Sequence, residues 1–235
     1  MTLPARIDYA PPAQPLPCSR VNWQPDAHRS VLLVHDMQRY FLRPYHPQAE
    51  ALTGMIATIT TLLREARRLD VPVVYTAQPG GQSVSERGLL IDMWGTGLPA
   101  DPAMEEILPE IAPTDKDTVL RKHRYSAFHR TPLRELMAGW GRDQLIITGV
   151  YASIGLATTA ADAFSQGVQA FLVADGVADF STSDHERGMY QVARTSGVVL
   201  PGTHVASQWE HSVTEFESAH AHPGARAFAQ ERTTI

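Results

Sequence analysis

Short apolar runs recur along the chain at Val31–Val34, Val71–Tyr75, Thr118–Leu120, Gln144–Thr148, Ala170–Val173 and Gly197–Leu200. Between them the hydrophobic positions change step. From Leu52 through Met55, Ile56, Ile59, Leu62, Leu63 and Ala66 to Leu69 they fall three or four residues apart, which draws one apolar stripe on a helix. Arg64, Arg67 and Arg68 then form its solvated face and a favourable charge at its C-terminal end. A second helical pattern follows Gly155, with Leu156, Thr159, Ala160, Ala163 and Phe164 inward; a third runs from Asp184 to Ser196 around Met189, Val192 and Ala193. Strands alternating with helices predict a single-domain three-layer α/β/α sandwich whose central sheet is mostly parallel and has about six strands.

The ends differ from this body, which we place at residues 30–218. Residues 1–29 hold Pro4, Pro11, Pro12, Pro15, Pro17 and Pro25, so they form neither a continuous helix nor an interior strand. They read as an extended arm whose Leu16, Val21 and Trp23 suit docking on the chain's own surface or on a dimer mate. A proline-motif ligand for another protein is the functional alternative. Residues 219–235 lose periodicity and are expected to be a mobile tail. The pair His220 and His222 in that tail has no third ligand in sight, so both are read as solvated rather than metal-binding.

Composition narrows the partners. With 235 residues, 43% of them hydrophobic and 19% charged, the chain can enclose a full core without staples. A net charge of -5 and an isoelectric point near 6.0 offer no bulk field for nucleic acid or an acidic membrane, so an anionic ligand would need local basic groups. The single cysteine, Cys18, excludes an intrachain disulfide framework and fits a reducing cytoplasm. No apolar stretch reaches membrane-spanning length, and the N-terminus lacks the basic-then-apolar order of a secretory signal; the expected location is cytoplasmic.

Candidate chemistry centres on Asp36, which stands just past the first apolar run, after His35. In an open α/β sheet the carboxyl ends of the strands are where ligands bind. A helix-capping role is the ordinary alternative for such an aspartate. The turn His35-Asp36-Met37-Gln38 lacks the glycines of a dinucleotide-binding fingerprint, and no phosphate-cradling Gly-Lys-Ser/Thr loop occurs.

The stretch from Trp23 to Leu200 resembles the isochorismatase-like hydrolases. The resemblance is carried by Val34-His-Asp-Met-Gln-Arg-Tyr-Phe-Leu42, Tyr75-Thr-Ala-Gln-Pro-Gly80, Arg87-Gly-Leu-Leu90 with Asp92-Met-Trp-Gly95, Lys122-His-Arg-Tyr-Ser-Ala-Phe128, Gly149-Val-Tyr-Ala152 and Val173-Ala-Asp-Gly-Val-Ala-Asp-Phe-Ser181. It implies an isochorismatase-like, Rossmann-like topology and, by family analogy, a homodimer. Cysteine amidases of the same fold carry a nucleophile where this chain has Gly155, and histidine metal ligands where it has Gln78-Pro-Gly-Gly-Gln82. Thiol chemistry is therefore not expected, nor a catalytic metal or other cofactor.

With no nucleophile, the resemblance implies hydrolysis of a vinyl ether: the enolpyruvyl group of a small anionic cyclohexadiene leaves as pyruvate. Asp36 would protonate the methylene carbon, and a fraction must then stay protonated near neutral pH, which burial and a substrate carboxylate would promote. Lys122 would reach and orient Asp36 and balance substrate charge; its own charge opposes protonation of the acid, so the resting proton inventory stays open. Gln78 and Arg87 would grip a substrate carboxylate. Phe41 and Trp94 would wall the ring. Tyr151 and Gly155 would offer backbone N–H groups to the enolpyruvyl carboxylate, with Gly155 leaving room for substrate and a cis Val150–Tyr151 bond. His123 and Ser153 depart from the family pattern and are expected to retune the pocket. Siderophore-pathway relatives often carry a carrier domain, and the stretch after Leu200 is too short for one. The expected substrate is thus the phenazine-pathway compound 2-amino-2-deoxyisochorismate, with isochorismate the alternative. An amidase of the same fold and a non-catalytic binding protein are the other readings.

Overall fold

A computed structural model describes residues 3–13 and 15–220. One sheet organises them, built from β1 (Ser30–His35), β2 (Val73–Ala77), β3 (Thr118–Arg121), β4 (Gln144–Val150), β5 (Gln169–Ala178) and β6 (Gly197–Leu200). The strands lie in the order β3-β2-β1-β4-β5-β6, and every pairing is parallel. The order reverses between β1 and β4, the switch point at which open α/β sheets open a crevice.

The alternating side chains of β1 explain why the sheet is covered on both faces. Leu32 and Val34 join a core with Ile146, Phe171, helix Glu50–Arg68 and Trp209 of helix Gly202–His220. Val31 and Leu33 point the other way, into a second core with Leu145, Ile147 and the inward residues of helices Leu133–Gly139, Ala157–Ser165 and Thr182–Thr195. The expected three layers follow. No described helix is long and apolar enough to cross a membrane.

Local chemistry moves some boundaries. β2 begins at Val73 rather than Val71, because the Val71 N–H closes the preceding helix on the Ala66 carbonyl at 2.8 Å. β5 extends beyond Val173 to Ala178 through an irregular pairing with β4 near Thr148, and so delivers Asp179 and Phe180 to the carboxyl edge. The last helix, Gly202–His220, was not foreseen; its buried Trp209 donates from Nε1 to Ser30 Oγ at 3.0 Å. Residues 219 and 220 continue that helix. The rest of the expected tail, His222 included, lies outside the described residues, as does the side chain of His220. The proline-rich arm lies across the chain's own surface, with Ile7 fully buried.

Candidate active site

β1 ends at His35, and the next residue turns sharply: Asp36 has φ +52, a left-handed conformation uncommon for a residue with a side chain. Sites that hold such a conformation are often functional ones. Asp36 is buried, yet each carboxylate oxygen is engaged. Thr76 Oγ1 of β2 donates to Oδ1 at 2.7 Å. Lys122 Nζ, one residue past β3, donates to Oδ2 at 2.7 Å, and Gln78 Nε2 reaches the same oxygen at 3.2 Å. Lys122 is itself buried and also donates to the Arg124 carbonyl at 2.9 Å.

The electrostatics bear on the resting state of Asp36, which the sequence leaves open. Burial alone would raise the Asp36 carboxyl, but His35, Lys122 and the Thr76 hydroxyl outweigh it and hold the group below its ordinary value of 3.8. Burial pushes His35 down to about 4, so at neutral pH the ring is uncharged and its pull on Asp36 is absent, while the contacts from Lys122 and Thr76 remain. In the free protein Asp36 is therefore ionised, not partly protonated. Two charges buried together are costly to separate, because removal of either strands the other.

Neighbouring loops close a cavity over this pair. Gln78 is fixed by Gln38: its N–H donates to Gln38 Oε1 at 2.8 Å, and Gln38 Nε2 donates back to its carbonyl at 2.9 Å. Arg87 sits at the end of helix Val84–Arg87, which starts with a Ser83/Glu86 capping box. Its Nε donates to the Gly95 carbonyl at 3.0 Å, and among the described residues it makes no ion pair. Burial lowers its pKa, as expected for a guanidinium short of a counter-charge.

Beyond β4 the Val150–Tyr151 bond is cis, as the resemblance implied. Tyr151 donates to the Phe41 carbonyl at 2.6 Å and packs on Phe180, with ring centroids 4.3 Å apart. The following turn, Ala152–Leu156, carries Gly155. Gly155 lines the cavity, but a Cβ there would meet His35 Cε1 at 2.5 Å, so the imidazole, not substrate room alone, demands a glycine. The anion cradle expected in this turn loses two donors. Ser153 N–H is committed to Asp179 Oδ2 at 2.6 Å, and Ile154 N–H to the Tyr151 carbonyl at 3.1 Å.

The eight residues singled out from sequence, Asp36, Lys122, Gln78, Arg87, Tyr151, Gly155, Phe41 and Trp94, line one cavity. Sequence reasoning missed Tyr40, Leu90, Tyr125, Ile154, Phe180 and Leu3, which line it as well. Tyr125 and Phe180 fall inside blocks that carried the resemblance, and Tyr125 accepts the Trp94 indole N–H at 2.7 Å. Nothing in the sequence flagged Leu3. His123 and Ser153 do not line the cavity; His123 Nδ1 lies 3.1 Å from Gln82 Oε1, in the loop that leads to Arg87. Cys18 is exposed on the arm. Among the described residues no three His, Cys, Asp or Glu side chains gather into a metal-holding group.

A parallel sheet with a cavity at its carboxyl edge and a buried acid–lysine pair lining it has the architecture of an α/β hydrolase. Residues 30–203 match the Isochorismatase domain, and the chain belongs to the isochorismatase family. It is 43% identical over 225 residues to the isochorismatase of Bacillus subtilis (strain 168), spanning 95% of this chain and 72% of that one. It is 45% identical over 190 residues to phenazine biosynthesis protein PhzD1 of Pseudomonas aeruginosa, spanning 81% and 91% respectively. Among solved structures, a cysteine hydrolase from Pseudomonas syringae pv. phaseolicola superposes with a TM-score of 0.74 at 23% identity, covering 85% of this chain and 99% of that one, a likeness of fold alone. The protein is an enzyme of the isochorismatase hydrolase type.

Proposed function

We propose that the enzyme cleaves the enolpyruvyl vinyl ether of 2-amino-2-deoxyisochorismate to pyruvate and trans-2,3-dihydro-3-hydroxyanthranilate. The observation that carries this reading is the buried Asp36–Lys122 contact of 2.7 Å in a cavity also lined by Arg87, which makes no ion pair among the described residues. A dianionic ligand brings its own negative charge next to Asp36. Arg87 takes one carboxylate by two-point hydrogen bonding, and Gln78 adds a donor. The second negative charge raises the Asp36 pKa, and the carboxylate takes up a proton from solvent as the ligand settles. Asp36 then gives that proton to the terminal methylene carbon. The ether oxygen shares the resulting positive charge as an oxocarbenium ion, and water adds to the adjacent carbon, losing its extra proton to solvent to leave a neutral hemiketal. The hemiketal releases the ring alcohol and pyruvate, while Lys122 receives the Asp36 carboxylate that the transfer regenerates.

The amino compound is the first substrate because the Pseudomonas aeruginosa relative, named for phenazine biosynthesis, is matched over 91% of its length at 45% identity. Isochorismate, giving pyruvate and 2,3-dihydro-2,3-dihydroxybenzoate, is the second, by the name of the Bacillus subtilis relative. Steady-state pyruvate release from both compounds, coupled to lactate dehydrogenase, tests the reading. Pyruvate from neither, or full activity in Asp36→Ala, rejects it.

A further inference from the structure

The N-terminal arm lies outside the matched domain, yet its fastenings lead to the cavity. Ile7 pairs with Tyr45 in a parallel bridge: the Ile7 N–H donates to the Pro44 carbonyl at 2.7 Å, and the His46 N–H to the Ile7 carbonyl at 2.8 Å. Two residues on, the Tyr9 hydroxyl accepts the Asp179 N–H at 2.7 Å and lies 3.2 Å from His185 Nδ1. His185 Nε2 faces the Ala174 carbonyl at 3.1 Å. A carbonyl only accepts, so Nε2 carries the ring proton, Nδ1 is the acceptor, and Tyr9 donates to it. Burial pushes His185 down to about 4, which keeps the ring in the neutral form this arrangement needs. The hydroxyl thus has both a donor and an acceptor role.

Asp179 turns that anchor into a feature of the pocket. Its carboxylate accepts the Ser153 N–H at 2.6 Å and the Phe180 N–H at 2.8 Å. Ser153 lies in the same turn as Gly155, and the Phe180 ring lines the cavity between Tyr151 and Trp94, at centroid distances of 4.3 and 5.9 Å. Nearer the chain start, Leu3 lines both this cavity and an adjoining outer groove, as do Tyr40 and Trp94, so it belongs to the partition between the two.

We propose that the arm is a working part of the substrate site: Leu3 is a wall residue for the bound ring compound, and Tyr9 is a positioning residue that acts through Asp179 on Ser153 and Phe180. The kinetic side of this proposal rests on the vinyl ether reading above. Tyr9→Phe and Leu3→Ala in the full chain, assayed by pyruvate release, test it. In Tyr9→Phe the Asp179 N–H and His185 Nδ1 lose their shared partner, so KM rises about tenfold while kcat, set by Asp36 and Lys122, stays within about twofold. Leu3→Ala opens the partition and raises KM about fivefold, again at nearly constant kcat. A wild-type KM in both variants overturns the proposal. So does a fall in kcat at constant KM that tracks loss of folded protein, the mark of a merely structural tether. The amide NMR signals of Ser153 and Phe180 in the ligand-free protein give a second readout: Tyr9→Phe must move both, and unmoved signals overturn the role of Tyr9. Should the wild type release pyruvate from neither compound, the reaction assignment fails, and the amide signals still judge the arm.

Discussion

The His35 ring occupies the place of a side chain at residue 155, because a Cβ on Gly155 would lie 2.5 Å from His35 Cε1 and 3.1 Å from Nε2. The ring has little freedom to step aside. Nδ1 lies 2.8 Å from the Val150 carbonyl, and Nε2 lies 3.2 Å from that of Tyr125. Gly155→Ala is therefore expected to overpack the site and cost about 1–3 kcal/mol of stability, with a matching fall in activity. Gly155→Cys should gain no ammonia-releasing amidase activity while His35 remains. Thermal melts and an ammonia assay check both, and an unshifted melt in Gly155→Ala contradicts the packing argument.

Asp36→Asn keeps the shape of the acid but not its proton. Pyruvate release should fall by about 10²–10⁴-fold in kcat, with a much smaller change in KM. Lys122→Gln acts through the pKa instead. Without the ammonium the Asp36 carboxyl rises, so the decline of kcat/KM with increasing pH should move to higher pH. A pH–rate profile checks this, and an unmoved or lower limb argues against Asp36 as the acid.

Acid should weaken the fold before Asp36 is protonated. Burial lowers both His35 and His185 from 6.5 to about 4, so between those values the unfolded chain binds more protons than the folded one. Stability is then highest above pH 6.5 and is lost as pH falls toward 4, by up to about 3 kcal/mol per histidine. Melting temperatures from pH 7.5 to 4.5 measure the slope, and His185→Gln should flatten it. A flat wild-type profile contradicts the assignment.

Arg87→Gln separates binding from stability. The variant should raise KM about tenfold or more, because a bidentate grip on a carboxylate is lost. It should melt no lower than the wild type, since Arg87 is a buried cation, 5% exposed as a residue, with no carboxylate partner among the described residues to repay its desolvation. A large drop in melting temperature with unchanged KM would show that Arg87 is a structural residue.

Period and composition make the strands and their flanking helices readable, because a strand buried on both faces has to be an apolar run; the edge strand β3, with Val119 and Arg121 exposed, is the exception. Asp36 is legible because it stands just past such a run and so must emerge at the sheet edge, whereas Lys122, just past β3, takes its role from the family resemblance. Gln78, Arg87 and Trp94 were legible only through motif blocks, since loops carry no period. Leu3 and Phe180 reach the cavity by tertiary routes: an arm crossing the body, and a strand that continues past its apolar run through Asp175 and Gly176. The resting state of Asp36 is open in the sequence for a similar reason: burial and an opposing pull from Lys122 can be inferred, but their balance cannot be weighed until the Thr76 and Lys122 contacts are seen together.

The reversal of strand order between β1 and β4 also partitions charge. The ionic groups lining the cavity, Asp36, Arg87 and Lys122, ride on loops that follow β1, β2 and β3; the loops after β4 and β5 add only neutral side chains and backbone, at Tyr151, Ile154, Gly155 and Phe180. The pocket is thereby polarised from one half of the sheet to the other. An amphipathic ligand entering it feels a torque toward a single pose before any specific contact forms, so alignment is inherited from topology and the individual side chains have only to refine it.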